Sequence, residues 1–214
     1  RAGEVYFHSR SGSRKATGSY FTKRFAVAHL LNAALEPALD RHLEEVGQLL
    51  AAGAPKSAAE ALFDFRVADL SMGSAHFLVA AVDRIESRFS TFLSDNPLPE
   101  VAKELHDLRE AAARQLGVDP ADSGIDDGAL LRRQIARRCV YGVDINEIAV
   151  ELARVGLWIH TFVPGLPLSF LNHSLVHGNS LTGVGTLAEV GQALLDAEVR
   201  ELKKVDLSQT SGLD

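Results

Sequence analysis

The sequence predicts an α/β fold built on an open parallel sheet, and three observations support this prediction. Residues 66–80 place a strand that ends at Asp69 before a loop of small side chains and the start of a helix. Residues 139–160 repeat the arrangement, with Asp144 at the end of an apolar strand and a helical run behind it. A third short strand is predicted at residues 174–177. Tandem strand, loop and helix units are typical of parallel sheets, because parallel strands need crossover connections.

The composition is that of an ordinary globular domain. The chain has 214 residues, of which 46% are hydrophobic and 23% charged, so neither a disordered nor a fibrous class applies. No apolar run approaches the roughly 18 residues of a membrane-spanning helix, and the N-terminal residues lack a signal-peptide core. We expect a cytoplasmic protein with no membrane partner. The single cysteine, Cys139, belongs to no metal-ligand spacing, and no metal is expected.

The charge balance argues against a nucleic-acid cradle that covers the whole surface. The formal net charge is −6, which is the wrong sign for such a surface. If DNA is a partner, its main binding surface lies elsewhere. We interpret the local basic groups as solvated faces paired with acidic residues, and these groups are Arg10, Arg14, Lys15, Lys23 and Arg24, then Arg132, Arg133, Arg137 and Arg138.

Residues 1–57 are predicted to form an N-terminal arm and a helical segment. The first 19 residues are rich in Gly, Ser and basic side chains, whereas Phe25 to Leu50 shows helical periodicity. Pro37 lies inside that pattern and is expected to kink or divide the helix. Ser57 is the predicted N-cap of a short helix from about Ala58 to Asp64.

Residues 58–185 are predicted to form the α/β core, with a helical insertion at 96–138 between the first and second strands. The insertion contains two helical patterns, Val101 to Leu116 and Asp127 to Arg138, which suggest a hairpin. Asn96-Pro97 before it is interpreted as a helix stop. Residues 186–214 are predicted to form a C-terminal helix and a tail.

The helix that follows the second strand, residues 147–161, is apolar nearly all round. Such a helix is expected to be buried between the sheet and a neighbouring layer. Trp158 is therefore predicted to lie in the core rather than to stack on a base.

The loop after the first strand is the predicted ligand site. Gly73 has no side chain to block the backbone, and the first amides of the following helix have no partner within it. A polar or anionic group is expected there. A nicotinamide dehydrogenase is disfavoured, because its fingerprint has three glycines where this loop has one. Asp144 could bind ribose hydroxyls or cap a helix, and Asn179, taken alone, is predicted to be a turn residue.

Four segments, in order, resemble motifs of the S-adenosyl-L-methionine-dependent DNA adenine-N6 methyltransferases. Asp69 to Leu78 is similar to the Asp-Pro-Ala-x-Gly-Ser-Gly-x-Phe-Leu motif, and Gly142 to Trp158 resembles the Gly-Val-Asp-Ile-Asn-Pro-x-Ala-Val-x-Leu-Ala stretch. Arg14 to Thr22 is similar to the Gly-x-Tyr-Tyr-Thr-Pro segment, and His177 to Leu181 to the third-strand Gly-Asp/Asn-x-Leu. The resemblance covers roughly residues 10 to 185 and points to the cofactor-binding part of a type IIG-like restriction-modification or phage-defence enzyme.

This resemblance implies a partial Rossmann-like class I methyltransferase sheet that binds S-adenosyl-L-methionine and transfers its methyl group to a flipped adenine in DNA. By resemblance, Asp144 bonds the ribose hydroxyls, the loop 71–75 holds the methionine end and Asn179 meets the adenine. The implied cofactor-binding residues are Tyr20, Thr22, Asp69, Ser71, Gly73, Ser74, Ala75, Asp144, Ile145, Asn179 and Ser180.

The sequence departs from the family pattern at several positions. Lys23 stands where proline is usual, which affects the shape of that turn. Leu70, Met72 and Ala75 replace the usual proline, a small residue or cysteine, and the last glycine, and a reduced cofactor affinity is one consequence. Ala75 is compatible with the loop if its φ is negative. His76 is expected to be an exposed helix residue rather than a base, because nothing nearby would orient it.

No Asn/Asp-Pro-Pro-aromatic sequence, the family's catalytic motif, occurs in these residues. No catalytic residue is therefore assigned, and these 214 residues alone are expected not to methylate DNA. Two alternatives stay open. The first is a methyltransferase that acts on a small molecule, a protein or RNA, and the second is a non-catalytic scaffold that no longer binds the cofactor.

Overall fold

The computed structural model describes residues 22–167, 171 and 173–181. In these residues the protein is an α/β fold, mostly helical, with a three-stranded parallel sheet, which confirms the predicted class. The chain divides into two compact units, of which the first ends at Gly178 and the second begins at Asn179.

The described helices and strands follow the predicted order. The helices are α1 (Arg24–Leu30), α2 (Glu36–Ala51), α3 (Pro55–Leu62), α4 (His76–Asp95), α5 (Pro99–Leu116), α6 (Asp127–Arg138) and α7 (Glu147–His160). The strands are β1 (Val67–Asp69), β2 (Val140–Asp144) and β3 (Leu175–His177). A π-helical turn, Leu31–Leu35, joins α1 to α2, and a 3₁₀ turn, Pro120–Asp122, lies between α5 and α6.

The sheet has the order β1-β2-β3, with all pairs parallel. Its inner face contains Val140, Gly142 and Leu175, which are buried. Helix α4 contacts β1 and β2, α7 contacts β2 and β3, and the two helices contact each other. The opposite face is different, because Tyr141 and Val143 are half-exposed there and Val176 is exposed.

The long N-terminal helix is confirmed, with one change of hydrogen-bond pattern. Pro37 lies in the first turn of α2, directly after the π-helical turn. Proline cannot donate a backbone hydrogen bond, and its ring crowds the carbonyl one turn earlier, so the helix widens there instead of breaking. Ion pairs from Glu36 to Arg84 and Arg88 then join α2 to α4.

The predicted start of the short helix before β1 is wrong. Helix α3 begins at Pro55, with Ala54 at the N-cap position, so Ser57 lies within the first turn and does not cap it. Proline is favoured at the first helical position because the amide it lacks would have no partner there. That preference places the helix start three residues before the predicted one.

Two helices lie between α4 and β2, at the positions of the two predicted helical patterns. Helix α4 ends at Asp95, and Asn96, its C-cap, donates from Nδ2 to the carbonyl of Phe92 at 3.1 Å. Helix α5 ends at Leu116, and its C-cap Gly117 adopts the left-handed conformation with φ 71°. Helix α6 then packs against both α4 and α5.

One of the basic residues predicted to be solvated is instead engaged in the fold. Arg133 is buried, with an exposure of 7%, and its guanidinium donates to the carbonyl of Pro167. Burial, with a further contribution from the charge of Arg137, lowers the pKa of Arg133 below its usual value. Arg138 pairs with Glu104 at 3.4 Å, as predicted for these basic groups, and also lies over the ring of Phe63, 4.4 Å from its centroid.

The expectation that α7 is buried on both sides is wrong. Ala149, Val150, Ala153 and Leu157 are buried, as expected for the side that faces the sheet. A second apolar side, which includes Ile148 and Leu152, is exposed to solvent. Trp158 packs against the core, in agreement with its prediction, and meets Phe162 edge to face.

Several predictions fall outside the described residues. These are the N-terminal arm with Tyr20 and the C-terminal helix and tail within residues 186–214. The described helices include none that is long and apolar enough to span a membrane.

Candidate functional site

The candidate site lies at the carboxyl ends of β1 and β2. Asp69 is the last residue of β1 and Asp144 the last of β2, and the loop 70–75 follows β1. The backbone N–H of Gly73 donates to Oδ2 of Asp144 at 2.8 Å, although the two residues are 71 positions apart. The fold therefore brings together the two segments that the sequence singled out, at the edge where parallel sheets bind ligands.

Three further backbone hydrogen bonds fix the shape of the loop. Ser71 N donates to Oδ1 of Asp69 at 3.0 Å, and Met72 N donates to the carbonyl of Val143 at 3.1 Å. Ala75 N closes a tight turn by donating to the carbonyl of Met72 at 2.8 Å. The loop is thus tied to both strands, and a change at the end of β2 is transmitted to it directly.

The side chain of Met72 lies beneath the loop and not on its ligand side. It is buried, with an exposure of 4%. A Cβ atom on Gly142 would lie 2.3 Å from Sδ of Met72 and 3.0 Å from both Leu175 and Leu78. Glycine at position 142 therefore leaves the space that Met72 fills, and this departure from the family pattern does not block the loop.

Ala75 does not have the negative φ on which its predicted compatibility with the loop depends. Ala75 has φ 65°, and it is the only described residue other than glycine with a positive φ. This conformation costs an L-residue roughly 1–2 kcal/mol. Ala75 is also the N-cap of α4, and its methyl side chain makes no cap hydrogen bond. The first turn of α4 therefore begins at the loop without an acceptor from its own N-cap residue, which suits an anionic group.

The helix-cap interpretation of Asp144 is wrong. Asn146 is the N-cap of α7, where its side-chain oxygen accepts from Ile148 N at 3.1 Å. Asp144 accepts from Asn146 N through Oδ1 at 2.8 Å and from Gly73 through Oδ2. A carboxylate offers about four acceptor positions, so each oxygen retains capacity for a ligand hydroxyl.

The site contains two carboxylates that interact with each other. Burial raises the pKa of Asp69 above its usual value, and the charge of Asp144 raises it further, against the opposing effect of the Ser71 amide. No ion pair to either carboxylate is found among the described residues. A cationic group would relieve this repulsion, whereas a polyphosphate would increase it.

A cavity of about 580 Å³ lies between α1 and α4. Thr22, which precedes α1, lines this cavity together with His76 at the start of α4. His76 is exposed, as expected, but its Nδ1 lies 3.0 Å from Oγ of Ser74, so the ring does have a neighbour that orients it. Position 23 has φ −68° and ψ 144°, which is a conformation that proline adopts, so lysine preserves the turn.

The remaining candidate residues have separate environments. Ile145 is 60% exposed, and its carbonyl lies 3.0 Å from Nε2 of His177. Asn179 and Ser180 belong to the second compact unit, where both are exposed. Oδ1 of Asn179 accepts from Leu181 N at 2.9 Å, which is the turn that the alternative interpretation described.

Two residues that shape the site were not among the predicted site residues. Gly142 leaves the space beneath the loop, and only its place inside an apolar strand could have indicated a close contact. Asn146 was quoted in a motif, yet its place directly before a helical run is the usual signal of an N-cap. No protein-family model, curated protein or solved structure matches this chain.

Proposed function

We propose that this chain is the S-adenosyl-L-methionine-binding part of a methyltransferase, whose substrate by resemblance is adenine N6 in DNA. The proposal rests chiefly on the hydrogen bond from Gly73 N to Asp144. It joins the two segments that carry the resemblance at the carboxyl ends of neighbouring parallel strands. The proposal extends to a role in restriction-modification or phage defence, on the resemblance alone.

The residues at this edge fit the chemistry of the cofactor. Asp144 would accept from the two ribose hydroxyls, since a carboxylate offers only acceptors in a matching fork. The uncapped start of α4 suits the methionine carboxylate, and the cavity lined by Thr22 and His76 opens beside that helix start. The cofactor supplies an electrophilic methyl group, and the chain's own residues would hold and orient it.

The charge of the site favours this cofactor over common phosphate nucleotides. Asp69 and Asp144 are like charges close enough to raise the pKa of Asp69. The sulfonium and ammonium groups of S-adenosyl-L-methionine would be attracted to them, whereas the phosphates of ATP or NAD would be repelled. Selectivity among these three ligands is therefore a test of the proposal.

The open sheet face supports a partial Rossmann-like methyltransferase sheet. Parallel sheets are usually covered on both faces, yet Ala68, Tyr141, Val143 and Val176 leave one face exposed or half-exposed in the described residues. By resemblance, the catalytic motif of the family follows the third strand, so a partial sheet is consistent with the lack of that motif in these residues.

A non-catalytic scaffold is the second candidate, and two observations favour it. Ala75 holds a strained left-handed conformation where the family has glycine, and Gly73 N already occupies Oδ2 of Asp144. A scaffold would use the Gly73 to Asp144 bond only to close the loop. It therefore predicts no ligand binding and no change in ligand response when Asp144 is replaced.

The decisive experiment is titration of the chain with S-adenosyl-L-methionine, ATP and NAD, by calorimetry and by thermal unfolding. At about a hundred times the dissociation constant, a ligand adds roughly 2.7 kcal/mol of stability, or several degrees. We expect S-adenosyl-L-methionine alone to give this shift, and Asp144→Ala to abolish it. Asp119→Ala is the matched control, because Asp119 also accepts an amide two residues on, from Ala121, in an exposed turn.

The possible outcomes separate the candidates. Binding that survives in Asp144→Ala would remove Asp144 from the site, and equal binding of ATP would contradict the charge argument. Absence of all binding would favour the scaffold. The substrate class is tested by transfer of labelled methyl groups to duplex DNA, RNA and protein, in which these 214 residues alone are expected to be inactive.

A further inference from the structure

Helix α7 has a continuous row of exposed apolar side chains on the side that faces away from the sheet. We call this row the α7 stripe; it consists of Ile148, Leu152, Val155 and Ile159, with Phe162 just beyond the helix. Their exposed fractions are 71%, 57%, 50%, 63% and 49%. Charged residues would be expected on the solvent side of a helix that packs on a sheet. An aliphatic row at these positions is typical of a surface that has a partner.

The spacing of the α7 stripe is that of a helix–helix seam. Successive members are four, three, four and three residues apart, and Ile145 continues the same spacing at the other end. An alternating three and four spacing keeps the residues in one narrow line, as at the a and d positions of a coiled coil. The expected occupant is therefore another helix rather than a flat surface or a small molecule.

The size of the stripe fits a weak but specific dimer. Together with Ile145, the side chains expose on the order of 600 Å², which is at the upper end for a patch on a monomer. Two such surfaces would bury about 1,200 Å², which is the lower end for specific complexes. We expect a dissociation constant in the micromolar range, because a small interface leaves little free energy beyond the cost of association.

We propose that the α7 stripe is a homodimer interface, in which α7 helices of two copies pack antiparallel about a two-fold axis. The spacing is the same in both directions about a point between Leu152 and Val155. A two-fold axis at that point places Ile148 of one copy opposite Ile159 of the other, and Leu152 opposite Val155. The surface is therefore complementary to itself, as a two-fold interface requires.

The charges beside the stripe select the antiparallel orientation. Glu147 and Glu151 lie in the first half of α7, whereas Arg154 and His160 lie in the second. Parallel packing would bring the acidic halves together, whereas antiparallel packing separates them and places each one towards the half that contains Arg154. Arg154 also pairs with Glu151 and donates to the carbonyl of Leu175 within the chain, so these charges set the orientation more than the affinity.

The oligomeric state of the chain tests the interface. We expect light scattering to give twice the monomer mass of 23.1 kDa at about 100 μM, and dilution to dissociate the dimer. Leu152→Lys should weaken association at least a hundredfold, because it places two cations across the axis. Leu116→Lys is the matched control, since Leu116 is an exposed leucine, 43% accessible, at the end of α5. Both variants should keep the wild-type circular dichroism, and their unfolding midpoints should match the wild type at concentrations well below the dissociation constant, where the wild-type dimer has dissociated.

Disulfide cross-linking tests the orientation. Cys139 is buried, so an introduced cysteine would be the reactive one. A mixture of Ile148→Cys and Ile159→Cys chains should form a cross-linked heterodimer under mild oxidation, whereas each variant alone should not. Cross-linking of each variant with itself, but not in mixture, would show parallel packing. A wild-type monomer at several hundred micromolar, or a Leu152→Lys dimer of unchanged stability, would overturn the proposal.

Discussion

The two strand, loop and helix units of this protein have the same arrangement, but their helices begin differently. In each, the last strand residue, Asp69 or Asp144, accepts the amide of the residue two positions later. In the β2–α7 unit, the side chain of Asn146 then caps α7. In the β1–α4 unit, Ala75 provides no side-chain cap, and the loop is held by hydrogen bonds to Val143 and Asp144 of the other unit.

This difference indicates which of the two loops is available to a ligand. A helix start that is capped by its own side chain has its amides satisfied in the free protein. The start of α4 has no acceptor from its own N-cap residue, and the loop before it is held by a carboxylate that a ligand could share. A ligand on Asp144 would therefore act on both units at once. The following substitutions test this asymmetry, and they run from the largest expected effect on stability to the smallest.

Gly142→Ala should cause the largest loss of unfolding free energy, because it disturbs the β1 loop and leaves the cap of α7 in place. Its Cβ would lie 2.3 Å from Sδ of Met72 and 3.0 Å from Leu175 and Leu78, so Met72 must leave its place beneath the loop. Overpacking of this kind costs about 2 kcal/mol of unfolding free energy, measured by urea denaturation. The loop would also lose its shape, and ligand affinity at Asp144 should fall with it.

Gly47→Ala is the control for this substitution. Gly47 lies within α2, and the nearest atom to its new Cβ is Cε2 of Phe92 at an ordinary 3.9 Å. Alanine is the better helix former by about 1 kcal/mol, so this variant should be more stable than the wild type. If Gly142→Ala also kept its stability, the proposed packing of Met72 beneath the loop would be wrong.

Asn146→Ala tests the β2–α7 unit, whose helix is capped by its own Asn146 side chain. Loss of the side-chain bond to Ile148 N should lower the unfolding free energy by about 1 kcal/mol. Asn146→Ser keeps an oxygen at the cap and should restore most of this stability. Because the cap lies outside the β1 loop, we expect binding at the loop to change little. A large loss of binding would show that the β2–α7 unit also holds the ligand, at the start of α7.

The contrast between the two units also explains which features the sequence could predict. Strand ends, helix order and the insertion follow from apolar periodicity and from signals such as Asn96-Pro97, and all appear as expected. The left-handed Ala75 could not be predicted, because its φ is set by hydrogen bonds of the loop to residues about 70 positions away. The exposed side of α7 could not be predicted either. An apolar helix side has the same sequence pattern whether the chain itself or a partner covers it. The predicted start of α3 is three residues too late, because the prediction uses Ser57 as the N-cap, whereas Pro55 is the first helical residue.

Ala75→Gly should change stability little, because two effects oppose each other. Glycine relieves roughly 1–2 kcal/mol of left-handed strain but removes a buried methyl group worth about 0.8 kcal/mol and gains entropy when unfolded. We expect a net change below about 1 kcal/mol. Ala81→Gly, in the middle of α4 and equally buried, loses both the methyl group and helix propensity, about 2 kcal/mol in all. Equal losses at the two positions would mean that Ala75 is not strained.

Asp69→Asn should give the smallest effect, an increase in stability that depends on pH. Burial and the charge of Asp144 raise the pKa of Asp69 in the folded state, so the folded protein binds this proton more tightly than the unfolded chain. At neutral pH the charged carboxylate therefore destabilises the fold, and the neutral amide removes that penalty while its oxygen can still accept from Ser71. As pH falls through the raised pKa, the wild-type carboxyl becomes protonated and the advantage of the variant shrinks.

The measurement is urea denaturation of both proteins at pH 7 and at about pH 4, near the usual range of a carboxyl group. Asp119→Asn serves as the control, because Asp119 makes the same type of turn in an exposed position away from Asp144. A variant that is less stable than the wild type at pH 7 would show that the bond to Ser71 outweighs the repulsion. The charge argument for a cationic ligand at this edge of the sheet would then lose its support, since it depends on two carboxylates that have no ion-pair partner among the described residues.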